Sequence, residues 1–153
     1  MTQSGYKRPE SVLIIVYTPD LQCLMLERVE PRGFWQSVTG SLRWDETPLQ
    51  AAARELREET GLESVGLVDA GIERTFTIMP AWRRRFGPGV AENLEHWFYL
   101  VLPEPRDIAL SDNEHRAYRW LDLEAAIELA SSWTNKEALE LLRSSPRTSP
   151  ASH

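Results

Sequence analysis

The sequence predicts an α/β (α+β) fold in which a mixed β-sheet packs between helices. Short apolar runs bounded by turn residues outnumber the segments of helical period, so strands dominate. The helical segments carry their own start and stop residues. No internal repeat and no linker divides the 153 residues, and a hydrophobic content of 42% is enough for one core. A single domain is therefore expected over 1–143, followed by a polar Ser/Pro tail over 144–153 that is expected to be disordered.

The first elements read as a hairpin: 11–18 as a buried strand, 24–28 as a second, with Pro19 and Asp20 in the turn. Residues 36–39 form a short extended approach to the first helix. Thr47 is an N-cap for that helix, Pro48 fits its first position, and Gln50 sits where a capping box places the return hydrogen bond. Gly61 supplies the stop. Leu49, Ala52, Ala53 and Leu56 follow the spacing of a buried stripe, and Glu55, Glu58 and Glu59 fall together on another side. Further strands are expected over 71–77, 95–102 and 117–121. Asp122 caps a helix through Leu129, and Thr134 with Glu137 forms a second capping box that opens a helix through Leu142.

The carboxylates of Glu55, Glu58 and Glu59 repel one another, and nothing basic lies in the same narrow arc of the helix. Hard oxygen ligands in a cluster suit Mg²⁺, with Mn²⁺ as the alternative. Such a cation neutralises phosphate charge and helps to generate the attacking hydroxide. The competing reading is a solvated acidic face, which charge runs usually are. The register of neighbouring residues separates the two.

Gly40, Glu46, Arg54, Glu55, Leu56, Glu58, Glu59, Gly61 and Leu62 satisfy the pattern G-x5-E-x7-R-E-U-x-E-E-x-G-U without exception, where U is aliphatic. This resembles the Nudix box. The resemblance implies the Nudix α/β/α sandwich, hydrolysis of nucleoside-diphosphate-like compounds, and a salt bridge between Glu46 and Arg54 that holds loop to helix. Outside the box, Tyr6-Lys7-Arg8-Pro9, Phe34-Trp35-Gln36-Ser37-Val38-Thr39-Gly40-Ser41, Trp120-Leu121-Asp122 and Ser132-Trp133-Thr134-Asn135 resemble the bacterial dihydroneopterin triphosphate diphosphatases of folate synthesis. That likeness implies Mg²⁺-dependent hydrolysis of dihydroneopterin triphosphate to the monophosphate and pyrophosphate, with side activity on (d)NTPs. It implies metal on Glu55, Glu59 and the distant Glu114, with Glu58 a further ligand or a base. It also implies substrate contacts at Lys7, Arg28, Thr39, Ile78, Met79, Pro80, Ala81 and Ser132. Lys7 and Arg28 suit a triphosphate by charge, and Thr39 and Ser132 can hydrogen-bond a phosphate or a pterin edge. The chain departs from those relatives at Arg43-Trp44-Asp45 and over 72–85, which loosens the inference about the base or pterin.

A formal charge of −6 argues against a general nucleic-acid surface, although Arg83, Arg84 and Arg85 form a basic cluster able to meet phosphate. No apolar run is long enough for a membrane span. Cys23 is alone and the N-terminus lacks a basic-then-apolar signal pattern, so a reducing cytoplasm is expected. Trp97 and Trp120 read as core, and Trp35 as either core or ligand-facing. His96 and His115 lack partners at zinc spacing and read as structural or surface. The expected partner is a small pterin or nucleoside triphosphate. The rival activities are a nucleotide-sanitising hydrolase of (d)NTPs or 8-oxo-dGTP, because a pterin shares guanine's hydrogen-bonding edge, and a non-catalytic nucleotide-sensing module.

Overall fold

The structure, a computed structural model, describes residues 5–144. Their strands are β1 (Glu10–Tyr17), β2 (Gln22–Arg28), β3 (Trp35–Gln36), β4 (Val38–Ser41), β5 (Val68–Thr77), β6 (Glu92–Val101) and β7 (His115–Asp122). The helices are α1 (Pro48–Thr60), α2 (Leu123–Leu129) and α3 (Trp133–Ser144), with a 3-10 helix over Pro80–Arg85. All seven strands share one mixed sheet. β1 and β6 run parallel, and every other pairing is antiparallel.

β1 is buried on both faces, which is why 11–18 reads as a continuous apolar run rather than an alternation. Val12, Ile14 and Val16 face α1 and pack with Ala51, Ala52 and Leu56. Leu13 and Ile15 face the other way, into a second core with Trp97, Ala126, Ile127, Ala138 and Leu139 of β6, α2 and α3. The result is the expected α/β/α sandwich.

The ladder between β1 and β2 is confined to Tyr17 and Cys23, beside their turn. Beyond it they part, and the β3–β4 segment enters the gap: β3 pairs with β2 and β4 with β1. Asn135 of α3 locks the crossing, because the Ser37 N–H donates to its Oδ1 at 2.8 Å and its Nδ2 donates to Ser37 Oγ at 3.0 Å. This wedge brings Gly40 against α1.

Several expectations need adjustment. β5 and β6 start earlier than 71 and 95, since their exposed first residues belong to an edge pairing that apolar periodicity cannot register. Leu49 is 54% exposed, and the buried side of α1 is Ala51, Ala52, Glu55, Leu56, Glu59 and Thr60. Apolar periodicity misplaced the stripe because two of the buried positions hold carboxylates. α3 begins at Trp133, and the Ser132 hydroxyl, not Thr134, accepts from the backbone of Asn135 at 3.2 Å. Ser144 ends α3, and the rest of the expected tail lies outside the described residues. Trp35 joins the α2/α3 core with the Arg119 guanidinium 5.1 Å from its ring centroid, and Trp97 is fully buried.

Candidate active site

α1 presents the carboxylates, and its ends are built as the sequence specifies. Thr47 and Gln50 form a reciprocal capping box, and Gly61 closes the helix at φ 78°, in the left-handed region that glycine tolerates. Arg54 then ties α1 to the preceding loop. Its Nε and Nη2 donate to the two Glu46 carboxylate oxygens at 2.6 and 2.7 Å, and Nη2 also donates to Ser41 O at 3.1 Å. This fork holds the Glu46 carboxyl down at about 2. Nη1 donates to Glu55 at 2.9 Å and Glu58 at 3.2 Å, so the acidic face has a basic neighbour after all. Arg54 lies outside the arc of the carboxylates and meets them because its long side chain reaches around the helix.

Arg8 fixes the same loop from the N-terminal segment. Its Nη1 donates to the carbonyls of Arg43, Trp44 and Glu46, while Nη2 pairs with Glu10 at 2.8 Å. Trp44, one of the departures, donates from Nε1 to Tyr6 O at 2.9 Å, and the Lys7 N–H donates to Arg85 O at 2.8 Å. The segment carrying Lys7 is thereby pinned on both sides.

Glu55 and Glu59 are buried, whereas the Glu58 side chain is 48% exposed. A Cβ at Gly40 would overlap the Glu55 carboxyl, so only glycine lets β4 and α1 approach this closely. Burial raises Glu55 to about 7, with Glu59 and Glu58 adding to the rise and Arg54 opposing it. Burial and the Glu114 carboxylate push Glu59 upward too. Glu114 stands on an exposed loop held by Glu114 N–H to Ser111 O at 3.0 Å and by Val29 N–H to Glu114 O at 2.9 Å. One donor atom each from Glu59, Glu114 and His115 lies within 4.8 Å of the others. Glu55 is outside that tight group, though close enough to act on Glu59 and Lys7 electrostatically.

His115 is fully buried, with Nδ1 2.7 Å from Glu59 Oε1 and Nε2 2.9 Å from Gln36 Nε2. Burial lowers it to about 4, so the ring is neutral at pH 7. Sequence reasoning assigned His115 no role and Gln36 none. The available signals were the place of His115 beside Glu114 at the start of a strand and that of Gln36 in the F-W-Q-S-V-T-G-S run.

Cations face the carboxylates. Desolvation and the nearby Arg85 lower Lys7, while Glu114 and Glu55 oppose them. Arg28 is lowered by the same two causes and opposed by Glu114 and Glu59. Among the described residues neither cation has an ion-pair partner. Arg28 is nonetheless fixed: Nε donates to Glu30 O at 2.9 Å, and its guanidinium lies 5.0 Å from the Trp82 ring centroid, with Phe34 edge-on to Trp82 at 5.7 Å. Trp82 was not singled out from sequence, and Phe34 entered only as part of the F-W-Q-S-V-T-G-S run. Of the other candidates, Thr39 donates its hydroxyl to Val12 O at 2.7 Å, and Ser132 caps α3. Ile78 is buried, while Met79, Pro80 and Ala81 are exposed at the start of the 3-10 helix.

The raised Glu55 makes stability pH-dependent. Its contribution is full below about 4.5 and is lost as pH rises through about 7. In metal-free protein, Glu55→Gln is expected to melt close to wild type at pH 5 and above it at pH 8.5, with a ceiling of about 3 kcal/mol. Calorimetry in EDTA checks this, and a difference that does not change with pH would contradict it.

This constellation stands on a fold whose pattern matches a known family: the NUDIX domain matches residues 7–142, and the chain belongs to the NUDIX family. It is similar to the dihydroneopterin triphosphate diphosphatase of Escherichia coli K12, with 44% identity over 145 residues that cover 92% of this chain and 95% of that protein. It is 38% identical to the enzyme of the same description from Haemophilus influenzae, over 88% and 87% of the two chains. The solved structure of the E. coli dihydroneopterin triphosphate pyrophosphohydrolase matches with a TM-score of 0.83 at 44% identity, over 90% of this chain and 96% of that one. No helix among the described residues is long and apolar enough to cross a membrane.

Proposed function

We propose that this Nudix hydrolase cleaves dihydroneopterin triphosphate, with Mg²⁺, to dihydroneopterin monophosphate and pyrophosphate. The observation that carries the reading is a cluster in which buried carboxylates of α1 and Glu114 lie within electrostatic reach of Lys7 and Arg28, in a chain 44% identical to an enzyme of that description. The donor set fits a hard divalent cation. Glu55 and Glu59 are pushed upward by burial and mutual repulsion, which a cation relieves, and the Glu59–Glu114 group has a cation's dimensions. We assign Glu55, Glu59 and Glu114 as the residues that hold it. Bound there, Mg²⁺ neutralises phosphate charge and acidifies water.

The chain's own residues do the rest. Lys7 and the Nη groups of Arg28 grip the polyphosphate. Glu58, the exposed member of the cluster, takes the proton of the attacking water. Water oxygen bonds to phosphorus as the α–β anhydride bond breaks, and pyrophosphate leaves with the bridging oxygen. Thr39, Ile78, Met79, Pro80, Ala81 and Ser132 are assigned to the pterin side on the resemblance. The hydrolytic unit is proposed to be residues 1–143, acting in a reducing cytoplasm that suits the buried free thiol of Cys23.

Comparing kcat/KM for dihydroneopterin triphosphate, dATP, dGTP, 8-oxo-dGTP and ADP-ribose tests the substrate. The pterin is expected to lead by at least about tenfold, the scale of one good polar contact. A lead for 8-oxo-dGTP or a dNTP would instead select the nucleotide-sanitising reading.

Glu114→Ala separates ligand from surface. It is expected to weaken apparent Mg²⁺ affinity and to cut turnover, while changing stability by no more than about 0.5 kcal/mol, as for an exposed loop position. Superimposable Mg²⁺ titrations of wild type and variant would remove Glu114 from the site.

A further inference from the structure

A buried hydrogen-bond chain runs from Gln36 through His115 to Glu59, and neither Gln36 nor His115 has a part in the proposed hydrolysis. His115 is 2% and Gln36 7% exposed, on β7 and β3 respectively. Hydrogen-bond chemistry fixes the proton on the ring. A Glu59 that holds a cation is ionised and only accepts, so in that state the Nδ1 that lies 2.7 Å from it carries the hydrogen. The Gln36 amide nitrogen only donates, so the Nε2 that lies 2.9 Å from it must be bare. Both ring nitrogens are then committed. His115 therefore has no lone pair left for a cation, although its donor atom lies within 4.8 Å of those of Glu59 and Glu114.

We propose that His115, held in its Nδ1–H tautomer by Gln36, is a positioning residue that aims the Glu59 carboxylate at the divalent cation. The proposal rests on the assignment of Glu59 as a cation ligand. Anchoring Oε1 fixes the plane of the carboxylate before the cation arrives and leaves Oε2 to bind it. Removing such an orienting partner typically weakens metal affinity about 10–100-fold.

The test is Mn²⁺ affinity, measured from the electron paramagnetic resonance of free Mn²⁺, which needs neither substrate nor turnover. An asparagine amide can place an N–H near the Nδ1 position, whereas a glutamine amide reaches toward Nε2. His115→Gln is expected to weaken Mn²⁺ binding about 10–100-fold and His115→Asn to stay within about threefold of wild type. In Mg²⁺-loaded, 15N-labelled wild type at pH 8, two-bond proton–nitrogen spectra are expected to show Nδ1 protonated and Nε2 bare. Gln36→Leu is expected to release the Nε2–H tautomer. An Nε2–H tautomer in the wild type overturns the proposal, and this readout requires no variant to fold. So does a His115→Asn variant as weak as His115→Gln, or a His115→Gln variant that binds like wild type while Glu59→Gln has lost affinity. Wild-type Mn²⁺ affinity in Glu59→Gln would remove the ligand assignment itself, and the positioning role with it.

Discussion

Glu59→Gln is expected to lower kcat by at least about 100-fold while the protein still folds, because charge at the cation is lost and side-chain volume is kept. Glu59 is the most buried carboxylate of α1 and the only one joined to both Glu114 and His115. The variant oxygen still accepts from His115 Nδ1, so the local hydrogen bond survives. In metal-free protein its melting temperature is expected to equal or exceed that of wild type, since the charge removed is one that burial and Glu114 disfavour. Near-wild-type turnover at saturating Mg²⁺ would sink the assignment of Glu59. Marked destabilisation without metal would point to a structural role instead.

Gly40→Ala is expected to have the second-largest effect. The added methyl would overlap the Glu55 carboxyl, which Arg54 and the packing of α1 on β4 hold in place. Overpacking of this kind costs about 1–3 kcal/mol, and displacing Glu55 is expected to cut kcat/KM at least about tenfold. A double-mutant cycle isolates the cause. In a Glu55→Ala background, Gly40→Ala should cost much less stability. Equal cost in both backgrounds would place the strain elsewhere.

The helix that carries the proposed cation ligands was legible residue by residue because its signals are local: Thr47, Pro48, Gln50 and Gly61 each act within one turn. The salt bridge of Glu46 with Arg54 was equally accessible, since the box fixes the spacing. What periodicity misjudged was the rotation of α1. Leu49 looked like core and is exposed, because Glu55 and Glu59 occupy buried positions where apolar residues would otherwise sit. The relay from Gln36 to Glu59 spans three elements distant in sequence: the sheet pairing of β2 with β3 and β7 brings Gln36 and His115 together, and the packing of α1 on the sheet adds Glu59. Nothing local marks it. The same holds for Trp82 and Phe34 around Arg28, whose contacts link a 3-10 helix to the loop after β2. The role of Trp44 is also tertiary: its indole nitrogen donates to Tyr6 O and so holds the segment that carries Lys7.

The central claim is that this protein breaks the α–β anhydride bond of a pterin triphosphate with a divalent cation, and 31P nuclear magnetic resonance of dihydroneopterin triphosphate incubated with the protein tests it directly. With Mg²⁺ present, the triphosphate resonances are expected to be replaced by those of pyrophosphate and a phosphate monoester in equal amounts, and with EDTA they should persist. Release of orthophosphate with a diphosphate ester, or turnover unaffected by EDTA, would contradict the account.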